Sequence, residues 1–182
     1  MMNSRLPRRV SMLAPAAFLA LASCMNMPEH AKVPDVIAAP PHQAITLEAM
    51  ASGVQVYECR AAAGDPARFQ WTFKAPEAEL YETAGNRLGR HYAGPTWEAL
   101  DGSKVVGQLV AQSPSPDEKA IPWLLLSAQS TSGKGVFSRV ASIQRVNTTG
   151  GRAPAEGCDG AHAGRSVRVP YTATYYFYSA KP

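Results

Sequence analysis

The chain has 182 residues, with 18 lysines and arginines, 14 aspartates and glutamates, and a formal net charge of +4. Three arginines (Arg5, Arg8 and Arg9) lie at the amino terminus, so the rest of the chain is near neutral. Beyond these arginines there is neither a basic cluster nor a nucleic-acid motif, which excludes the usual classes of nucleic-acid-binding protein.

The amino-terminal segment has the order of parts of a secretory signal peptide. The arginines are followed by an apolar stretch, 10–22, and then by small residues before Cys24. The stretch is shorter than the roughly 20 residues that span a bilayer. Residues 21–24, Leu-Ala-Ser-Cys, resemble a bacterial lipobox, which implies cleavage after residue 23 and acyl chains on Cys24. The alternative is an ordinary secretory leader in which Cys24 has no role.

Lipidation of Cys24 predicts where the protein is located. Each buried methylene contributes about 0.8 kcal/mol, so two or three acyl chains hold a protein on a membrane. Met25 stands where an inner-membrane retention signal usually has Asp, which by resemblance to proteobacterial sorting favours the outer membrane. We expect a lipid-anchored protein of the bacterial cell envelope that faces the periplasm.

The chain is predicted to contain one folded domain. Residues 1–23 form the signal peptide, residues 24–43 the lipidated cysteine and a tether, and residues 44–182 a single domain of suitable length for one core. Four prolines in the tether, Pro28, Pro34, Pro40 and Pro41, are expected to prevent regular structure.

Two cysteines, Cys59 and Cys158, remain after Cys24 is assigned to lipid. In an oxidising periplasm two such cysteines are expected to pair in a disulfide. The alternative is two reduced, buried thiols. A metal site is less favoured, because neither cysteine belongs to a closely spaced pair of ligands.

From Ala44 onward, short alternating or apolar stretches between turn residues predict strands and no major helix. The predicted strands are 53–59, 71–73, 79–81, 88–92, 97–100, 104–111, 122–128, 140–146 and 167–178. Asp101-Gly102 predicts a hairpin with two turn residues of positive φ, which places Trp97 opposite Val106. Eight or nine such strands predict an all-β fold, an antiparallel β-sandwich or small barrel with long loops.

Three strand features are specific enough to test. The run 122–128 is nearly continuously apolar and is expected to be buried on both faces. The stretch 147–164 is rich in glycine and proline and is predicted to be a loop. Pro170 indicates an edge or a bulge in the last strand. In that strand Tyr175 and Phe177 share one side and Tyr176 and Tyr178 the other, which gives either a binding face or two packed faces.

A set of motifs spans the predicted domain. They lie at 53–59, 73–80, 89–98, 101–105, 121–125, 143–148, 157–159, 161–164, 169–171 and 175–178. As a set, they resemble the uncharacterised "domain of unknown function 3455" family of exported bacterial and fungal proteins. The resemblance implies an exported domain with no established activity and no assigned catalytic residues.

Residues 89–98 carry the densest group of functional side chains. Aromatic rings would provide contact area for a ligand, the guanidinium would bind an anion, and the imidazole would form hydrogen bonds. The candidate ligand-binding residues are Arg90, His91, Tyr92, Trp97 and Glu98. The alternative is a structural corner in which Gly94-Pro95 turns the chain and the arginine pairs with a nearby carboxylate.

Asp159 and His162, beside Cys158, form the second candidate group. If the disulfide brings this loop to the first group, His91 and His162 share a site, and Asp159 or Glu98 adds a ligand that zinc or copper accepts. The alternative is two loop histidines bonded to backbone. The sequence contains no nucleophile elbow, phosphate-binding loop or dinucleotide-binding motif, so no cofactor is expected.

The favoured interpretation is a lipid-anchored binding or structural domain whose partner, besides the membrane, is a small molecule or an envelope protein. The alternative is an envelope enzyme that uses His91 and His162, with or without a metal. A third interpretation is a passive component of the envelope.

Overall fold

The structure is a computed structural model that describes Met1 and residues 30–182. The predicted signal peptide from residue 2 onward, the lipobox and Cys24 lie outside the described residues. Ala31–Pro182 forms a compact unit. Within the described part of the chain, no helix combines the length and the apolar composition that crossing a membrane requires.

Eight antiparallel strands form one closed barrel, in which each strand pairs with the next and the last pairs with the first. They are β1 (Gln43–Ala62), β2 (Asp65–Glu82), β3 (Arg87–Tyr92), β4 (Thr96–Ala99), β5 (Lys104–Ser113), β6 (Trp123–Ser132), β7 (Ser142–Gly150) and β8 (Ser166–Ala180). Two 3-10 turns, Asp35–Ile37 and Gly160–His162, are the helical elements of the described residues. The prediction of an all-β antiparallel fold is confirmed, and the barrel is the form adopted.

Large rings from β4 and β8 fill the barrel interior. The Trp97 ring lies 5.4 Å from that of Tyr175 and 6.1 Å from that of Phe177, both edge-on, a favoured geometry for aromatic pairs. Small side chains from β1 and β2 belong to the same core and leave room for these rings. They are Ala49, Ala51 and Ala78.

The connection between β6 and β7 closes one end of the barrel. Phe137 from this connection is fully buried, and its ring lies 4.7 Å from that of Phe177. Asp101, in the β4–β5 turn, holds the connection in place by accepting a hydrogen bond from Val136 N at 2.9 Å. Asp101 also accepts from Ser103 N and Oγ. The Ser103 hydroxyl in turn accepts a hydrogen bond from Phe137 N at 3.1 Å.

At the other end, β1, β2 and β8 extend beyond the remaining strands and form a three-stranded arm (53–77 and 166–170). The β2–β3 pairs cover only Ala78 to Tyr81, whereas β2 stays paired with β1 back to Asp65. A disulfide joins Cys59 in this arm to Cys158 in the β7–β8 loop, as predicted. Pro170 lies just past the last β7–β8 pair, so the predicted edge position is confirmed.

The β4–β5 turn corrects the predicted register. Trp97 pairs with Val105 and not with Val106. Of the turn residues, only Gly102 has a positive φ, of 82°. Ala99 N donates to Ser103 O, and Gly102 N donates to Ala99 O. The turn therefore has three residues, a type I turn followed by a left-handed glycine, and the extra residue shifts the register by one.

Two other boundaries differ from the sequence prediction. The stretches 71–73 and 79–81 belong to one long strand, β2, which reduces nine predicted strands to eight. Strand β7 continues to Gly150, although a loop was predicted from residue 147. Asn147 has a φ of 49°, and the β7–β8 register shifts there. The residues predicted as the start of a loop therefore form a local bulge within a strand that continues.

Part of the predicted tether packs on the barrel. Asp35–Ile37 forms a 3-10 turn, so the absence of regular structure predicted for 25–43 is wrong at this point. Ile37 is fully buried against Trp123 and Leu125 of β6, and Gln144 Nε2 donates to Ile37 O. The prediction that 122–128 is buried on both faces is confirmed in part: Trp123, Leu125 and Leu126 are buried, and the other residues of the run are partly buried. One face lines the interior, and the other lies under Ile37 and its neighbours.

Candidate functional site

A cavity of about 230 Å³ opens at the end of the barrel opposite Phe137. It is bordered by the β3–β4 turn, and in an up-and-down barrel this turn and the β6–β7 connection lie at opposite ends. The wall is mainly apolar and comprises Phe73, Pro76, Ala93, Gly94, Pro95, Leu109, Leu124 and Leu126. The other lining residues are Lys74, His91, Trp97, Arg145 and Tyr175. We call this space the barrel cavity.

His91 is a neutral side chain in the wall of the cavity. It is 3% exposed, and its ring stacks on Trp97 with 4.3 Å between centroids. Nδ1 lies 2.9 Å from Thr96 O; a carbonyl only accepts, so Nδ1 carries the hydrogen and Nε2 is an acceptor. Burial lowers the pKa of His91 to about 3, the Thr96 bond opposes this, and the charge of Arg145 lowers it further. The imidazole is therefore uncharged near neutral pH.

Arg145 brings a positive charge into the same cavity. Its Nε and Nη2 donate to Pro122 O at 3.1 and 2.8 Å. None of the ion pairs of the described residues includes Arg145. Lys74, the other cation of the wall, is paired with Glu58 at 3.2 Å. Arg145 is thus the cavity cation without a carboxylate partner in the part of the chain described.

Two buried donors in the cavity wall have no hydrogen-bond partner among the described residues. They are the Tyr175 hydroxyl and Trp97 Nε1, and each side chain is 1% exposed. Burial raises the pKa of Tyr175, although the charge of Arg145 and the nearby donors of Tyr171 and Arg145 oppose that effect; the hydroxyl keeps its proton, and it is this proton that lacks an acceptor. An unpartnered buried polar group costs about 1–3 kcal/mol, and an acceptor in the cavity would remove that cost.

The remaining members of the first candidate group form an ion cluster. Arg90 pairs with Glu98 across β3 and β4, with Nη2 and Oε2 2.7 Å apart. Tyr92 donates to Glu98 at 3.0 Å, and Lys104 Nζ lies 3.2 Å from its other oxygen. The hydrogen bonds from Arg90, Lys104 and Tyr92 lower the pKa of Glu98 to about 2. The Arg90–Glu98 pair is the carboxylate contact that the structural alternative expected, whereas His91 and Trp97 of the same group line the cavity.

Asp159 and His162 do not line the barrel cavity. The Asp159 carboxylate caps the 3-10 turn by accepting from Ala161 N and His162 N, and it lies 2.6 Å from His162 Nδ1. The bond to His162 lowers the pKa of Asp159. No group of three or more His, Cys, Asp and Glu side chains in residues 30–182 could hold a metal ion. The ligand set required by the metal-dependent alternative is therefore not assembled by these residues.

The sequence reasoning missed Arg145 and the leucines of the wall, Leu124 and Leu126. A signal for Arg145 was present: it is two residues from Ile143, which is fully buried in the interior, and residues i and i+2 of a strand share a face. Tyr175 was recognised only as part of an aromatic strand. Both faces of that strand are packed, because Tyr175 and Phe177 lie in the interior cluster and Tyr176 lies in the cluster with Ile37.

Comparison with known proteins identifies a family and no closer relative. Residues 40–179 match the family model described as "Protein of unknown function (DUF3455)". The matched range includes seven complete strands and all of β8 except its last residue. No curated protein and no solved structure gives a significant match.

Proposed function

The chain belongs to the DUF3455 family of proteins of unknown function, and from that premise we propose that it binds a small molecule in the barrel cavity while anchored by lipid in the bacterial envelope. The observation that carries the proposal is the pair of unpartnered donors, Tyr175 Oη and Trp97 Nε1, in the wall of an apolar cavity. Small-molecule sites typically combine an apolar wall with a few convergent polar groups.

The shape of the barrel supports binding of one small ligand. An eight-stranded barrel has an interior just wide enough for side chains or for one small ligand. Phe137 fills one end, and the cavity occupies the other. Its volume of about 230 Å³ is below the roughly 300–1,000 Å³ of sites for drug-sized compounds. The ligand is therefore smaller than a typical drug and is held mainly by apolar contact.

The envelope location rests on the sequence and on the disulfide. Residues 21–24 resemble a lipobox, and Met25 favours the outer membrane, with the domain in the periplasm. The Cys59–Cys158 bond supports export, because disulfides persist in oxidising compartments.

A change at the rim of the cavity tests the binding proposal. Leu109 lines the cavity and is 54% exposed, so Leu109→Trp should fill the opening without disturbing the core. Val110, its neighbour on β5, is exposed and does not line the cavity, which makes Val110→Trp the matched control. The measurement is the melting temperature of the purified full chain with phenylacetate, phenylacetamide, octanoate and octanol.

At least one compound should raise the melting temperature of the wild type and of Val110→Trp, and this rise should be lost in Leu109→Trp. Binding that persists in Leu109→Trp would contradict the cavity as the site. A wild type that responds to none of the four compounds would contradict the binding proposal.

Lipidation is tested by labelling cells with a radioactive or clickable palmitate. The wild type should take up label and sediment with membranes, and Cys24→Ala should do neither. The double variant Cys59→Ala/Cys158→Ala is the control, because it lacks the other two thiols and should still be labelled. Membrane-bound, labelled Cys24→Ala would refute the anchor.

A further inference from the structure

We propose that the barrel cavity selects a small carboxylate with an apolar body, in which Arg145 binds the carboxylate and Tyr175 donates a further hydrogen bond to it. The proposal rests on the proposed function and names the class of ligand that the cavity accepts. It begins from the side chain of Arg145, which has more donors than the structure uses.

A guanidinium has five N–H donors. Arg145 uses one on Nε and one on Nη2, both for Pro122 O, and its guanidinium also lies near the Tyr175 hydroxyl, whose pKa it lowers. At least two donors are therefore left on a half-buried side chain that lines the cavity. A carboxylate matches this arrangement, because its two oxygens accept parallel bonds from a guanidinium.

The charges around the cavity favour an anion. Arg145 has no carboxylate partner in the described chain, Lys74 shares Glu58 with Arg60, and His91 is uncharged. No Asp or Glu is among the lining residues. A carboxylate would therefore supply the missing counter-charge of a partly desolvated cation, where the attraction is stronger than in water.

Tyr175 supplies the second observation that points to a ligand. The side chain is 1% exposed, lines the cavity and has an unpartnered hydroxyl. Native proteins seldom leave such a group unsatisfied. A carboxylate bound by Arg145 still has acceptor capacity for the Tyr175 hydroxyl, because an ionised carboxyl group accepts up to about four hydrogen bonds. A cation or a pure donor would leave the hydroxyl hydrogen without an acceptor.

The rest of the wall determines the body of the ligand. Leu124, Leu126 and Pro95 present apolar surface, and Trp97 presents an aromatic ring. Burial of the apolar part of a ligand against this wall favours binding. With the small volume of the cavity, this favours an aryl or short alkyl group next to the carboxylate, as in phenylacetate.

The experiment compares phenylacetate with phenylacetamide, which has nearly the same shape and no charge. Dissociation constants are measured by calorimetry on the purified full chain for the wild type, Arg145→Met, Tyr175→Phe and Arg139→Met. Arg139 is an exposed arginine beside Phe137, at the other end of the barrel, and serves as the control for loss of one positive charge.

The wild type and Arg139→Met should bind phenylacetate at least about tenfold more tightly than phenylacetamide, since charge-assisted hydrogen bonds are the stronger ones. Arg145→Met should abolish this preference. Tyr175→Phe should weaken phenylacetate binding about three- to tenfold, and it should raise the melting temperature of the free protein because an unsatisfied hydroxyl is removed. If Arg145→Met does not fold, the wild-type comparison and Tyr175→Phe decide the matter.

The outcomes separate the ligand class from the binding function. Equal affinity for the acid and the amide, with both lost in Leu109→Trp, would overturn the carboxylate proposal and leave the cavity as a binding site. A preference for phenylacetate that survives in Arg145→Met would overturn the role of Arg145. Binding of neither compound to the wild type would overturn the carboxylate proposal, whereas octanol binding that Leu109→Trp abolishes would preserve the cavity function.

Discussion

Arg90 and His91 are adjacent in the chain and have different environments. Arg90 lies in an exposed ion cluster with Glu98, and His91 is buried beside Trp97. The cause is the alternation of side chains along a strand, which sends consecutive residues to opposite faces. The sequence predicted the strand at 88–92, and hence the alternation. It did not indicate which face is internal, so the five candidate residues of 90–98 were grouped as one site.

The pKa of His91 leads to a prediction at the scale of one residue. Burial lowers this pKa from 6.5 to about 3, so between these pH values the unfolded chain binds a proton that the folded chain does not. The stabilisation is complete above pH 6.5 and is lost as the pH falls. Between pH 6.5 and 4.5 the free energy of unfolding should decrease by about 2 kcal/mol, as measured by urea denaturation.

His91→Asn provides the control for this pH dependence. Asparagine does not titrate, and its amide can donate to Thr96 O in place of Nδ1. The variant should be less stable at pH 7 because the stacking on Trp97 is lost, and its stability should fall by less than that of the wild type between pH 6.5 and 4.5. Glu98, with its pKa lowered from 4.5 to about 2, begins to affect stability at the lower end of this window, and does so equally in both proteins. Equal pH slopes in the two proteins would contradict the prediction.

At the scale of elements, the β4–β5 hairpin shows how one residue changes a strand pairing. Asp101-Gly102 predicted a turn correctly, but its length depended on contacts outside the hairpin. The Asp101 carboxylate accepts hydrogen bonds from the Ser103 hydroxyl, from Ser103 N and from Val136 N in the β6–β7 connection. These bonds, of which that from the Ser103 hydroxyl has the largest effect, lower the pKa of Asp101. The aspartate therefore joins two connections at the closed end, which a local pattern of two residues does not indicate.

The disulfide between the arm and the β7–β8 loop supports a prediction at the element scale. It joins residues 99 apart in the sequence, and a loop of that size gives a large entropic stabilisation. Cys59→Ser/Cys158→Ser should lower the free energy of unfolding by about 2–5 kcal/mol, measured by urea denaturation. Dithiothreitol should destabilise the wild type by a similar amount.

The same reductant should leave the double serine variant unchanged, which separates the effect of this bond from any other effect of the reagent. The family motifs at both cysteines, 53–59 and 157–159, lie within the matched range. A double variant as stable as the wild type would show that the bond is dispensable for the fold.

At the scale of the whole molecule, closure of the sheet into a barrel forms the cavity on which the proposed function depends. Pairing of β1 with β8 joins the two ends of the domain and converts a sheet into a barrel. Closure brings Arg145 of β7, Tyr175 of β8 and His91 of β3 around one cavity. The sequence left sandwich and barrel as alternatives, because each strand pattern is the same in both.

The sequence by itself determined the properties that depend on local pattern and composition. These are the all-β class, most strand positions and the family; the sequence also predicted that Cys59 and Cys158 pair, which the structure confirms. The tertiary structure decided which strand faces are internal, the register at Trp97, and the burial of Ile37. It also decided that Arg145 and Tyr175 meet in the cavity. The physical reason is that strand period is set by neighbours in the chain, whereas closure and burial depend on pairings between residues more than 100 positions apart, such as Met50 with Thr174.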